Sequence, residues 1–183
     1  MQTSESSRER DLISAGGGHV IPERVTAVID GDFVVYLIGM RLNRPWKIRS
    51  WLPAFMAMRP MLREAVADTD SGLLGFQYLG RLTFVQYWRS YDHLWGYAHK
   101  AGGLHREAWS RFNRNISGNR GDIGIWHETY RIPAGAHESI YSGMPPFGLG
   151  RAGRLVRARS YERPRPPDPP HSAIGHGQPD PGV

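Results

Sequence analysis

The sequence predicts an α+β fold, a ferredoxin-like β-α-β-β-α-β unit, and three observations carry that prediction. Short runs with period-2 alternation interleave with longer runs at helical spacing, in the order strand, helix, strand, strand, helix, strand. Both ends of the chain are polar or rich in Gly and Pro, which confines the folded mass to about residues 20–153. In the first long strand Val34, Tyr36, Ile38 and Met40 alternate with Phe33, Val35 and Leu37. Both of its faces are therefore apolar: helices cover one, and a second subunit closing over the other would bury it and form a cavity able to hold a ligand.

The elements follow in order. Residues 1–19 end in Gly16-Gly17-Gly18 and read as a flexible lead. Val25 to Ile29, the turn Asp30-Gly31-Asp32 and Phe33 to Leu42 read as a strand, a hairpin-like turn and a strand. Ser50 is placed to cap a helix from Trp51 to about Val66, which Pro60 should kink or split and which Asp68 to Gly72 end. Leu73 to Tyr78 and Leu82 to Trp88 suit an antiparallel pair across Leu79-Gly80-Arg81. Ser90 can cap a second helix, in which Tyr91, Leu94, Trp95 and Ala98 fall on one stripe. Ala101-Gly102-Gly103 breaks it, and a further helical stretch begins near His105, with Ala108, Trp109 and Phe112 on the same face. Asp122 to Ile132 is the last strand. The Arg/Pro-rich tail, residues 154–183, favours polyproline II or disorder.

Composition narrows the chemistry. The chain has no cysteine, which removes thiolate nucleophiles, disulfides and Cys-type metal sites, and suits a cytoplasmic protein. No apolar run approaches the roughly 18 residues that span a bilayer, so no membrane partner is expected. The net charge of +6 invites a nucleic-acid reading, but six arginines from Arg151 onward stand against Glu162, Asp168 and Asp180. About half of the excess thus lies in the tail, and with no nucleic-acid-binding motif none is expected as a partner. The glycines match neither a dinucleotide fingerprint nor a phosphate loop.

Four segments carry a resemblance: Gly39-Met40-Arg41-Leu42-Asn43, Gln86-Tyr87-Trp88-Arg89-Ser90, His105-Arg106-Glu107-Ala108-Trp109 and Gly124-Ile125-Trp126-His127-Glu128-Thr129-Tyr130. Tyr141 and Met144-Pro145-Pro146-Phe147-Gly148-Leu149 follow the last of them. Together they resemble a family of unknown function whose members are labelled monooxygenase. That family is related to a fungal fumagillin-pathway monooxygenase and, more distantly, to antibiotic biosynthesis monooxygenases. The resemblance implies a dimeric α+β barrel, hence a homodimer, and the dense set of tryptophans suits a small apolar or aromatic compound of secondary metabolism in a barrel cavity. The wider superfamily holds cofactor-free oxygenases, in which a substrate carbanion meets dioxygen. It also holds heme-degrading monooxygenases, heme-bound aldoxime dehydratases and members without known catalysis. Three readings follow: an oxygenase with no cofactor, which leads; a heme-binding monooxygenase or dehydratase with His105 as axial ligand; and a non-catalytic ligand-binding dimer. In the heme-degrading branch an Asn on the first strand, a Trp on the helix and a His ten residues later line the site. Asn43, Trp95 and His105 stand at that spacing, with Gly96, Gly102 and Gly103 interrupting the helix.

Individual residues give the candidate site. His105 opens an apolar helical face, where an imidazole can remove a proton or ligate iron; a helix-start histidine bonded to a carbonyl is the structural alternative. His127 and Glu128 are adjacent on a strand and so leave opposite faces. If the aromatic face with Trp126 and Tyr130 is the interior, Glu128 is the buried base; if not, His127 takes that place. Trp95 joins these as a catalytic candidate, and Tyr36, Met40, Asn43, Phe84, Trp88 and Trp126 are the expected substrate-binding walls. Arg41 and Arg89, at strand ends, read as solvated or paired. His93 and His99 lie six apart on a helix and face roughly opposite ways, so no three-His metal site is expected.

Overall fold

The computed structural model describes residues 12–13, 18–100, 102–103, 106 and 121–158. The elements in chain order are β1 (Leu12–Ile13), β2 (Val25–Val28), β3 (Phe33–Leu42), α1 (Ile48–Ala67), β4 (Leu73–Tyr78), β5 (Thr83–Trp88), α2 (Tyr91–His99), β6 (Ile123–Ile132), α3 (Leu149–Ala152) and β7 (Arg154–Arg157). The strands form two antiparallel sheets. In the larger one the order is β4-β5-β3-β6, so the two central strands are the first and third of the four. That is the ferredoxin-like arrangement, with α1 and α2 as its two crossovers.

The register decides which side chains share a face. On β3, Tyr36 lies opposite Gln86 and Thr129, and Ile38 lies opposite Phe84 and His127. Met40 lies opposite Ile125. These even-numbered residues of β3 look toward the helices. Deeper along the same face Val34 and Trp88 pack with Ala65 of α1 and Leu94 of α2, and Trp88 is fully buried.

The opposite face is covered in part by the chain itself. β1, β7 and β2 form a second sheet, and Val25, Ala27 and Leu155 from it pack with Phe33 and Leu149 and against Val35 and Tyr87. Two sequence expectations change here. Val25–Val28 makes no hairpin with β3 but pairs with β7, because residues 29–32 carry the chain from one sheet to the other. The tail expected to begin at 154 starts with a strand, since Leu155 is 2% exposed and fills the core beside Ala27. Residues 12–13 of the expected lead pair with the other edge of that strand. The close approach explains Gly153: a Cβ there would fall 2.7 Å from the Val28 carbonyl oxygen.

α1 is a single helix despite Pro53 and Pro60, and it begins two residues before Ser50. Ser50 is not its cap. Its hydroxyl instead donates to Asp122, whose carboxylate also accepts from Arg44 at 2.8 Å and from Lys47 at 3.0 Å. The Asp122 carbonyl accepts from the backbone N–H of Asn43 and Arg44. The Asp122 side chain is 1% exposed, so one buried carboxylate ties the start of α1 to the start of β6. The hydrogen bond from Lys47 above all, then those from Arg44 and Ser50, hold its carboxyl below the usual carboxylate range, against the burial that would raise it. At the other helix start the expectation stands: the Ser90 hydroxyl accepts from the His93 N–H and caps α2.

Candidate active site

Between the helix side of the large sheet and the two long helices lies a cavity of about 730 Å³. That is within the size range of small-molecule sites. Its floor is the face built by the register above: Tyr36, Ile38 and Met40 of β3, Phe84 and Gln86 of β5, and Ile125, His127 and Thr129 of β6. Its roof is the stripe Ala54, Ala57, Met58, Met61, Leu62 and Ala65 of α1, which repeats at three and four residues. Tyr91, Leu94, Trp95, Tyr97, Ala98 and His99 of α2, with Arg106, close the side. Trp95, His99 and Arg106 are exposed and form the open rim, and the β6 side of the floor, His127 and Thr129, is exposed toward it.

The space lies within one protomer, on the covered side of the sheet. The sequence placed it on the open side, closed by a second subunit. On the helix side the alanines of α1 leave the room.

Of the residues picked from the sequence, Tyr36, Met40, Phe84, Trp95 and His127 meet in this cavity. Four others do not. Glu128 leaves the opposite face of β6, is exposed, and accepts a hydrogen bond from the Tyr130 hydroxyl. Trp126 lies on that same face against Gly39, its cross-strand partner, where a Cβ would fall 2.6 Å from the indole nitrogen. Trp88 is core and no wall. Asn43 is exposed beyond the end of β3, where its backbone is engaged by Asp122. His105 lies outside the described residues, as do Trp109 and Phe112. Arg89 donates to the Asp30 carbonyl at 3.0 Å and so locks a strand end.

The polar groups of the floor are pre-set. The Trp88 indole N–H donates to Gln86 Oε1 at 2.8 Å, leaving the amide NH₂ as the free end of Gln86. Burial alone pushes the Tyr36 phenol up to about 12, so it stays a neutral O–H donor at any physiological pH. Its ring lies 5.4 Å from that of His127. The Tyr97 hydroxyl donates to the Met61 carbonyl at 2.6 Å and ties α2 to α1. On the rim the His99 ring stacks on Trp95 at 3.8 Å, and its Nδ1 donates to the Trp95 carbonyl. Sequence reasoning passed over Gln86, although it is the lone polar side chain between Phe84 and Trp88 on one strand face.

The family described as monooxygenase af470-like matches residues 33–149. The chain belongs to that family. Monooxygenase af470 of Aspergillus fumigatus is 30% identical over 143 residues, which cover 70% of this chain and 49% of the fungal protein. The chain thus spans about half the length of the curated relative it matches. Among solved structures, this af470-like chain is similar to an aldoxime dehydratase crystallised with butyraldoxime, with a TM-score of 0.53 and 17% identity. That likeness covers 78% of this chain and 45% of the dehydratase, and carries the ferredoxin-like, dimeric-barrel type of fold. Such folds are typically dimeric. Among the described residues no helix is long and apolar enough to cross a membrane.

Proposed function

We propose that the chain is a monooxygenase-type enzyme that takes a small apolar or aromatic metabolite into the helix-side cavity, needs no bound cofactor and works as a homodimer. One observation supports this above the rest: an apolar cavity whose floor carries Tyr36, Gln86 and His127 and whose described lining holds no carboxylate. In this reading His127 is the base, since its imidazole offers the floor a nitrogen able to accept a proton. It takes a proton from an activated C–H of the substrate, and the carbanion reduces dioxygen. For an activated methylene, CH₂ and O₂ become C=O and H₂O: the substrate supplies all four electrons, one oxygen atom enters the product and the other leaves as water. Tyr36 and the Gln86 amide donate to the substrate oxygen on which charge develops.

Oxygen consumption with a panel of phenols, quinols and anthrone-type substrates tests it. The wild type should turn over at least one of them, and His127→Gln should slow that reaction by about 100-fold or more. Glu128→Gln, on the other face, should stay within about threefold. Silence across the panel, or an unchanged rate in His127→Gln, would refute the reading.

A second reading rests on the same imidazole. His127 in the cavity and Arg106 on the rim fit the donor chemistry heme needs, and would offer an imidazole nitrogen to the iron and a cation to a propionate. Bound heme would supply iron for oxygen activation or dehydration. A Soret band on adding hemin that shifts in His127→Ala but not in Glu128→Ala would favour it over the first; no hemin binding would remove it.

A further inference from the structure

We infer that the ligand of this cavity is an apolar acid, seated with its anionic group at the rim against Arg106; this rests on the reading of the cavity as a substrate site. The charge of the lining is one-sided. Among the described residues that line it, Arg106, His99 and His127 are the groups able to carry positive charge, and none is Asp or Glu. Arg106 is exposed at the opening, and no described carboxylate pairs with it. By contrast Arg44 and Lys47, at the start of α1, hold Asp122, and Lys100, at the end of α2, holds Asp68.

The interior beyond the rim is different in kind. Ala54, Ala57, Met58, Met61, Ile38, Met40, Phe84 and Ile125 offer an apolar lining with no charge to stabilise an ion. A molecule with one apolar body and one anionic end therefore matches the site, whereas a zwitterion or a cation does not. The guanidinium offers a planar fork that fits a carboxylate by two parallel hydrogen bonds. Stacked on Trp95, with its Nδ1 proton committed to a carbonyl, His99 presents its Nε2 edge on the same rim.

The test is calorimetric titration with 2-naphthoate and its neutral isostere 2-naphthamide, on the full chain at low salt. The expected result is that wild type binds naphthoate about tenfold more tightly, the worth of one charge-assisted hydrogen bond. In Arg106→Gln the preference should shrink below about threefold while naphthamide affinity holds, and in wild type rising salt should erode it. A cavity-filling change, Ala57→Phe, should abolish binding of both probes. Equal affinity for the two probes in wild type, or a preference that survives Arg106→Gln, overturns the proposal and leaves the cavity reading intact. Binding that persists in Ala57→Phe, or no binding of either probe to the wild type, overturns both.

Discussion

Trp88→Phe is the change whose cost can be worked most directly. The indole is fully buried among Val34, Ala65 and Leu94, and its N–H donates to Gln86 Oε1. Losing that bond costs about 1 kcal/mol. Replacing indole by phenyl removes apolar area worth about 1 kcal/mol and leaves a partly relaxed void worth about as much again. The expected loss is about 3 kcal/mol, or roughly 10 °C in melting temperature for a domain of this size. Urea unfolding followed by circular dichroism measures it. Gln86→Leu alone should also destabilise, because it strands a buried N–H, and the double variant should cost about 1 kcal/mol less than the two single losses combined. Strict additivity, or a loss under about 1 kcal/mol for Trp88→Phe, would refute the bonded pair.

Other expectations concern parts that the cavity depends on. Asp122 has a depressed carboxyl in the fold, so its contribution is in place above the unfolded carboxylate range and is lost as pH falls through about 4 toward the folded value. Asp122→Asn should therefore melt lower than wild type at pH 7, with the gap closing in acid melts; a gap that stays constant would contradict the clamp. Ending the chain after Gly153 removes Leu155 and the partner of β2. It should cost at least about 3 kcal/mol in a denaturant titration, and a truncated chain as stable as wild type would mean β7 carries nothing. Trp126 and Tyr130 stay 40% and 47% exposed on the open face of the large sheet. Sedimentation equilibrium at micromolar concentration should find a dimer that Trp126→Glu converts to monomer, and a monomeric wild type would sink the homodimer.

Much of the floor was legible because strand alternation needs no tertiary information. Tyr36, Met40 and Phe84 share a face once β3 and β5 pair, and period 2 puts His127 and Glu128 on opposite sides. Which side faces the helices was not legible, since both faces of β3 are apolar and the pattern carries no label for the cover. Trp88 and Asn43 misled for related reasons: an indole reads alike as wall or core, and spacing borrowed from a relative ignores where a strand ends. β7 was hidden in four residues, Arg154-Leu155-Val156-Arg157, inside a basic stretch, and its pairing to β2 spans most of the chain. The Asp122 clamp likewise joins residues far apart in sequence, and no local pattern announces it.

The roof of the cavity has an evolutionary consequence. The side chains that would handle the proton, Tyr36, Gln86 and His127, sit on strands, whereas the residues facing them from α1 are alanines, methionines and Leu62. An alanine there can grow, and a methionine can refold its unbranched chain around a new shape, without disturbing the sheet. Exchanging one or two of Ala54, Ala57, Met58 and Met61 would re-size the chamber while its reactive surface stays as it is. Diversification toward new molecules would then begin on one helix, and descendants would differ first in what they accept, and only later in what they do to it.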